Sequence, residues 1–254
     1  PHERSIEFKF PKVIQYTLYI LCIKEWNLDS MMYQYLWNPL KWLGNKLNFM
    51  TLRGVIILFV STYSIGLLLF FYRHSIPPNV VETLPIIFSL IGLIMILKSF
   101  TERRWARKSW LLIIMNHLWI ALAISFNEEF KYGQPVLYLS GVIISGIIGF
   151  FTLVRLRRIE GSIGLYQFHG YAYQHPKIAL VFFLCCLGAT GFPITPTFIG
   201  EDLVFTHIHE DQIFLALITS LSFILDGMAI IRIYARVFLG PHVKSIFEMA
   251  YRSS

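Results

Sequence analysis

The sequence predicts an all-α polytopic transmembrane bundle of about six spans, one of them a helix broken at mid-membrane. Three observations carry this. First, the 254 residues are 56% hydrophobic and only 15% charged, with a mean hydropathy of +0.59, far from the make-up of a water-soluble domain. Second, uncharged apolar stretches recur at about the length that crosses a ~30 Å hydrocarbon core. Third, Lys and Arg alternate between the connecting segments: residues 1–53, 98–108, 155–177 and 232–254 hold twenty of them, and residues 73–82, 128–134 and 201–211 hold two. Short cytoplasmic loops are enriched in these residues, so the alternation predicts both termini on the cytoplasmic side.

The spans follow in order. Residues 54–72 carry no charge; residues 83–97, bracketed by Glu82 and Lys98, form a shorter second span; residues 109–127 and 135–154 form the third and fourth. A polar linker, 155–177, contains Arg155, Arg157 and Arg158. The fifth span, near 178–208, is interrupted, and the sixth covers 212–239. This gives a cytoplasmic or interfacial N-terminal segment over 1–53, a transmembrane domain over 54–240 and a cytoplasmic tail over 241–254. Val13–Ile23 is apolar but about half a span long, which suits an interfacial or protein-buried helix. Trp37, Lys41, Trp42 and Lys46 form the aromatic and basic mixture of a headgroup boundary. The opening Pro1-His2-Glu3-Arg4 has neither an initiator Met nor signal-peptide character, and reads as part of something longer.

Composition also excludes function classes. The formal net charge of +7 is explained by membrane orientation, so no nucleic-acid partner is expected. Cys22, Cys185 and Cys186 make no disulfide framework and read as packing residues. No phosphate-binding loop, nucleophile elbow or zincin motif occurs, so no catalytic centre, cofactor or metal is expected. His207 and His209 stand two apart rather than at the helical zinc spacing, which favours an exposed non-cytoplasmic loop. His169 and His175, among Tyr166, Tyr171 and Tyr173, fit an interfacial aromatic band.

Ionisable groups within the bilayer cost roughly 2.5–3.5 kcal/mol at a helix centre, so each needs a reason. Four qualify: Glu201 and Asp202 after the interrupted segment, Asp226 in the sixth span and His117 in the third. Gly191, Pro193, Thr195, Pro196 and Gly200 cannot sustain a regular helix, and 175–210 is too long for one span and too short for two. A helix broken at membrane depth resolves this, and such breaks hold ion sites in transporters. Two readings of Glu201 stand side by side: a buried carboxylate in the first turns of a second half-helix, or a residue of a solvated loop. His117 reads equally as a proton relay or a hydrogen-bonded core residue. Asp226, six residues ahead of Arg232, reads as part of a polar path or of a structural ion pair.

The stretch Gly191-Phe-Pro-Ile-Thr-Pro-Thr-Phe-Ile-Gly-Glu201 resembles the broken helix of the antiporter-like proton-translocating subunits of respiratory complex I, especially the chain-M type. Mrp cation/proton antiporters and proton-conducting subunits of inorganic-carbon uptake complexes are related. The similarity extends over roughly 135–245, ending in the aromatic and basic run Ile231-Arg-Ile-Tyr-Ala-Arg-Val-Phe-Leu-Gly240. It implies a proton- or Na⁺-translocating subunit of a hetero-oligomeric complex in a bacterial inner membrane or organellar equivalent, with Glu201 in the proton channel. The parent complex would be an NADH:quinone oxidoreductase or a bicarbonate or cation transporter. The family's buried Glu–Lys pair and central Lys or His are not assignable to the first, second or fourth span as bounded here. That departure motivates the alternative of a non-conducting scaffold that docks other membrane subunits. A lipid-modifying enzyme is a distant third reading, on Glu201, Asp202, His207 and His209.

Overall fold

The computed structural model describes residues 11–23, 28–46, 51–127 and 133–241. The opening four residues and the tail beyond Pro241 lie outside them. Among the described residues every regular element is a helix, as expected of an all-α membrane bundle.

The chain divides into two compact units, 1–43 and 44–254. The first holds α1 (Lys12–Ile23) and α2 (Leu28–Met31), which passes through a π-helical turn into α3 (Asn38–Lys46), whose last three residues belong to the second unit. Twelve residues at ~1.5 Å rise reach only about 18 Å, too short to cross. Within the π turn Tyr33 lies under the Lys41 ammonium, 4.7 Å from the ring centroid.

The second unit contains α4 (Leu52–Phe71), α5 (Pro78–Thr101), α6 (Ala106–Ile124), α7 (Gly133–Glu160), α8 (Pro176–Ala189), α9 (Pro196–Thr206) and α10 (Ile213–Phe238). Four of these, α4, α5, α7 and α10, are long and apolar enough to cross a membrane by length and composition. Helix α6 carries Arg107, Lys108, Asn116 and His117 and is less apolar, yet 15 of its 19 residues are buried. It is surrounded by protein, so its polar residues meet other helices rather than lipid. Phe59, Tyr63 and Phe88 gather on Trp119, the Phe88 ring stacked at 5.5 Å. On the opposite face Trp110 donates its indole N–H to the Gly146 carbonyl at 2.9 Å. That approach is possible because α7 turns its glycines inward: a side chain at Gly149 would collide with the Trp110 ring, and one at Gly141 with Thr197. Small residues bring helix backbones close where apolar side chains gain nothing by leaving lipid.

Two boundaries differ from the sequence expectation. The second span is not short: α5 runs 24 residues from Pro78 and takes in both Glu82 and Lys98. Lys98 is 1% exposed, because Glu102, one turn on, pairs with it. An internal ion pair makes a charge compatible with a continued helix, which a hydropathy window cannot see. The basic linker also starts later, since α7 continues to Glu160 and carries Arg155, Arg157 and Arg158 on its last turns, where cations complement the helix dipole.

Candidate functional site

The interruption predicted around Gly191 is a built feature. Helix α8 ends at Ala189; Gly191 follows at φ 64°, and the Phe192 N–H reaches back to the Leu187 carbonyl at 3.1 Å. This is the long bond of a Schellman ending, and glycine adopts its left-handed conformation without a Cβ penalty. Pro193 lies in the turn. Thr195 then stands at the N-cap of α9 in extended conformation and Pro196 takes the first helical position, where a missing N–H costs nothing. The Thr195 hydroxyl turns back to the Phe192 carbonyl at 2.7 Å. The Gly188 carbonyl, near the end of α8, accepts the buried Thr197 hydroxyl at 2.7 Å, so one half-helix caps the other across the break. Gly200 lies directly against Tyr138 of α7, where no side chain would fit.

Glu201 is half-buried one turn into α9, and its carboxylate occupies the space a side chain at Gly191 would need. The carboxylate is therefore folded back onto the break. Glu201 thus lies within the second half-helix and not in a loop.

His117, fully buried at the middle of α6, joins two further helices. Its Nδ1 lies 2.6 Å from the Tyr138 hydroxyl of α7, and its Nε2 lies 3.2 Å from Oδ2 of Asp226 on α10. Asp226 is 2% exposed, and its second oxygen makes no hydrogen bond within the protein. Asp226 therefore pairs with His117 and not with Arg232. The Arg232 guanidinium instead donates to the carbonyls of Ser99 and Glu102, at 2.9 and 2.7 Å. Six residues on a helix is about 600° of rotation, which leaves those two side chains on different faces.

The bonding around His117 has a direct chemical consequence. With the imidazole neutral and Asp226 ionised, Nε2–H donates to the carboxylate and Nδ1 accepts the Tyr138 O–H. A proton arriving at Nδ1 makes both nitrogens donors, and the Tyr138 hydroxyl must then turn its hydrogen elsewhere. The Tyr–His–Asp line thus has two hydrogen-bonding states separated by one proton. Each group comes from a different helix, so the arrangement depends on how α6, α7 and α10 pack.

Asp202 is exposed on α9 and outside this group. Among the other histidines, His207 Nδ1 bonds the Leu203 carbonyl at 2.7 Å, His169 Nε2 bonds the Gly164 carbonyl at 2.9 Å, and His175 lies 2.6 Å from the Glu160 carboxylate. All three cysteines are free thiols, Cys185 and Cys186 buried. Sequence reasoning missed Tyr138 altogether, since nothing in its apolar surroundings marks it. It also missed a buried cluster in which the Glu102 carboxylate pairs with Lys108 at 2.7 Å and Lys98 at 3.5 Å. Burial raises the proton affinity of Glu102, but the hydrogen bond from Lys108, the Arg104 backbone N–H and the two ammonium charges hold its pKa below the ordinary value. The signal was present as Lys98-x-x-x-Glu102, a helical i, i+4 spacing.

Fold and site together define an integral membrane bundle with an interrupted helix, a carboxylate folded onto the break and a buried His–Asp pair. NADH-ubiquinone oxidoreductase chain 4 of Dictyostelium citrinum is 32% identical to this chain over 106 residues, 42% of this chain and 25% of that protein. The same protein of Dictyostelium discoideum is 34% identical over 106 residues, 42% of this chain and 19% of the relative. NADH-quinone oxidoreductase subunit M of Rickettsia felis is 28% identical over 116 residues, 46% and 23% of the two chains. Over the matched stretch the chain is homologous to these antiporter-like complex I subunits, and it spans a quarter or less of the length of the curated relatives. No family model matches the chain, and no solved structure gives a significant match.

Proposed function

We propose that this chain is a proton-translocating, antiporter-like subunit of a larger membrane complex, in which Glu201 exchanges a proton at the helix break with the His117–Asp226 pair. The observation that carries the reading is that His117, Tyr138 and Asp226, from three helices, meet at one buried locus, with α9, which carries Glu201, packed on Tyr138 through Gly200. Intramembrane ionisable groups are rare and mark ion or proton paths. A locus with one carboxylate folded onto broken backbone, and a histidine whose two nitrogens face different partners, has the parts a relay needs. In this reading the twenty-residue basic side faces the cytoplasm or its organellar equivalent, the other membrane subunits are those of a complex I-like assembly, and H⁺ rather than Na⁺ is the transported ion, since histidine suits a proton and not a sodium ion.

The test is flux in vesicles, normalised to assembled complex. Glu201→Gln keeps size and hydrogen bonding but cannot exchange a proton, so it is expected to abolish proton-coupled transport with assembly intact. Full flux from the Gln variant would exclude passage through Glu201 and would favour a non-conducting scaffold that docks neighbouring subunits.

A further inference from the structure

At one end of the second unit lies a cavity of about 620 Å³, lined by Asn45, Thr51, Thr101, Trp105 and a set of cations, Arg103, Arg104, Arg107, Lys108 and Arg157, with Glu102 as its acid. It sits where α4 begins, α5 ends, α6 begins and α7 nears its end. Three of the helices that form it are long and apolar enough to span a membrane, and the cavity gathers at their ends. Loop contacts fix this arrangement: the Leu165 N–H donates to the Arg103 carbonyl at 2.8 Å and the Ala106 N–H to the Ile163 carbonyl at 3.4 Å.

We propose that this cavity is a binding site for the phosphate headgroup of an anionic phospholipid. The charge balance points there. Glu102, the one carboxylate among the lining residues, is engaged by Lys98 and Lys108, which leaves four arginines around the cavity with no other carboxylate lining it. Arginine presents a planar fork of donors that matches phosphate oxygens two at a time. The α6 N-terminus at Trp105 has no side-chain cap, and although Ile163 takes the Ala106 N–H, the positive end of the helix adds to the potential. Arg157 lies over the Trp105 ring, 5.2 Å from the centroid, which holds one guanidinium in place against the wall. The volume lies within the range of about 300–1,000 Å³ typical of small-ligand sites, and a basic pocket between helix ends at the membrane surface suits an anionic headgroup. Free phosphate shares the chemistry but lacks the acyl chains that would lie along the exposed apolar faces of α4 and α7, where Ile57, Val60, Phe151 and Ile148 are exposed.

Trp105 is a reporter within the cavity. Its emission would be measured in the full chain, in nanodiscs of phosphatidylcholine containing a minor fraction of brominated phosphatidylglycerol, with Trp105→Phe used to subtract the other tryptophans. Selective quenching by the brominated anionic lipid is expected. At about 1 kcal/mol per surface cation, Arg107→Gln with Arg157→Gln should weaken it about 25-fold, and the paired Lys variants should restore most of it. Equal quenching by brominated phosphatidylcholine, or undiminished binding by the Gln pair, would overturn the proposal. So would arginine-dependent binding of inorganic phosphate in detergent without any preference for phosphatidylglycerol in nanodiscs. If lipid never quenches Trp105 but assembly with other subunits shields it, an acidic protein segment fills the cavity and the lipid is excluded. None of these results depends on proton flux.

Discussion

Replacing Glu102 by Gln removes the acid that faces two buried lysines. The oxygen that pairs with Lys108 at 2.7 Å also lies 3.5 Å from Lys98. At an effective dielectric near 20 these separations correspond to gross attractions of about 6 and about 5 kcal/mol, most of which offsets the desolvation of three charges. The loss on breaking such a buried arrangement is typically about 3–5 kcal/mol, because the ammonium groups stay buried without their partner. Arg232 would still hold the Glu102 carbonyl through the main chain, so the α5–α6 turn keeps one of its ties. Denaturant unfolding in detergent should therefore show Glu102→Gln destabilised by about 3–5 kcal/mol. A double-mutant cycle should couple Glu102 more strongly to Lys108 than to Lys98. Acid should mimic the substitution. The folded-state pKa of Glu102 lies below its ordinary 4.5, so its stabilisation is complete above that value and is lost as pH falls through the lower, folded-state pKa. A cost below about 1 kcal/mol, the range of exposed pairs, or wild-type acid stability lost only in the variant, would refute the account of Lys98 as a charge held inside the bundle.

Gly191→Ala should cost about 1–2 kcal/mol from the left-handed backbone alone, and it should also lower flux, because its Cβ would displace the Glu201 carboxylate; wild-type flux would separate Glu201 placement from function. Asp226→Asn should reduce flux less than Glu201→Gln, since an amide still accepts a hydrogen bond from His117 Nε2, and vesicle flux ranks the two. Tyr138→Phe deletes one end of the 2.6 Å contact with His117; flux should fall without loss of assembly, and the pH dependence of the residual flux should shift. Cysteines placed in 102–105 and in 161–175 should be labelled by impermeant reagent from the same side, because the Arg103–Leu165 and Ala106–Ile163 bonds hold the two loops at one end of the unit.

Sequence alone determined the all-helical membrane class and the position of the broken helix, and it singled out Glu201, Asp202, His117 and Asp226 as ionisable groups in apolar surroundings, of which the structure leaves Asp202 exposed. Each is local or periodic information: apolar length sets a span, and Gly191, Pro193 and Pro196 forbid a continuous helix whatever surrounds them. What pairs with what was decided by packing. His117 could have bonded any neighbour, and Asp226 stood nearer in sequence to Arg232, but α10 turns Asp226 toward α6 and sends Arg232 to the end of α5. Tyr138 became a partner of His117 because Gly146 and Gly149 let α7 close on α6, a fit between backbones that composition does not reveal. Lys98 looked like the far side of a span's end and is instead inside, since Glu102 one turn on supplies its opposite charge and Lys108 on α6 arrives to balance Glu102 in turn.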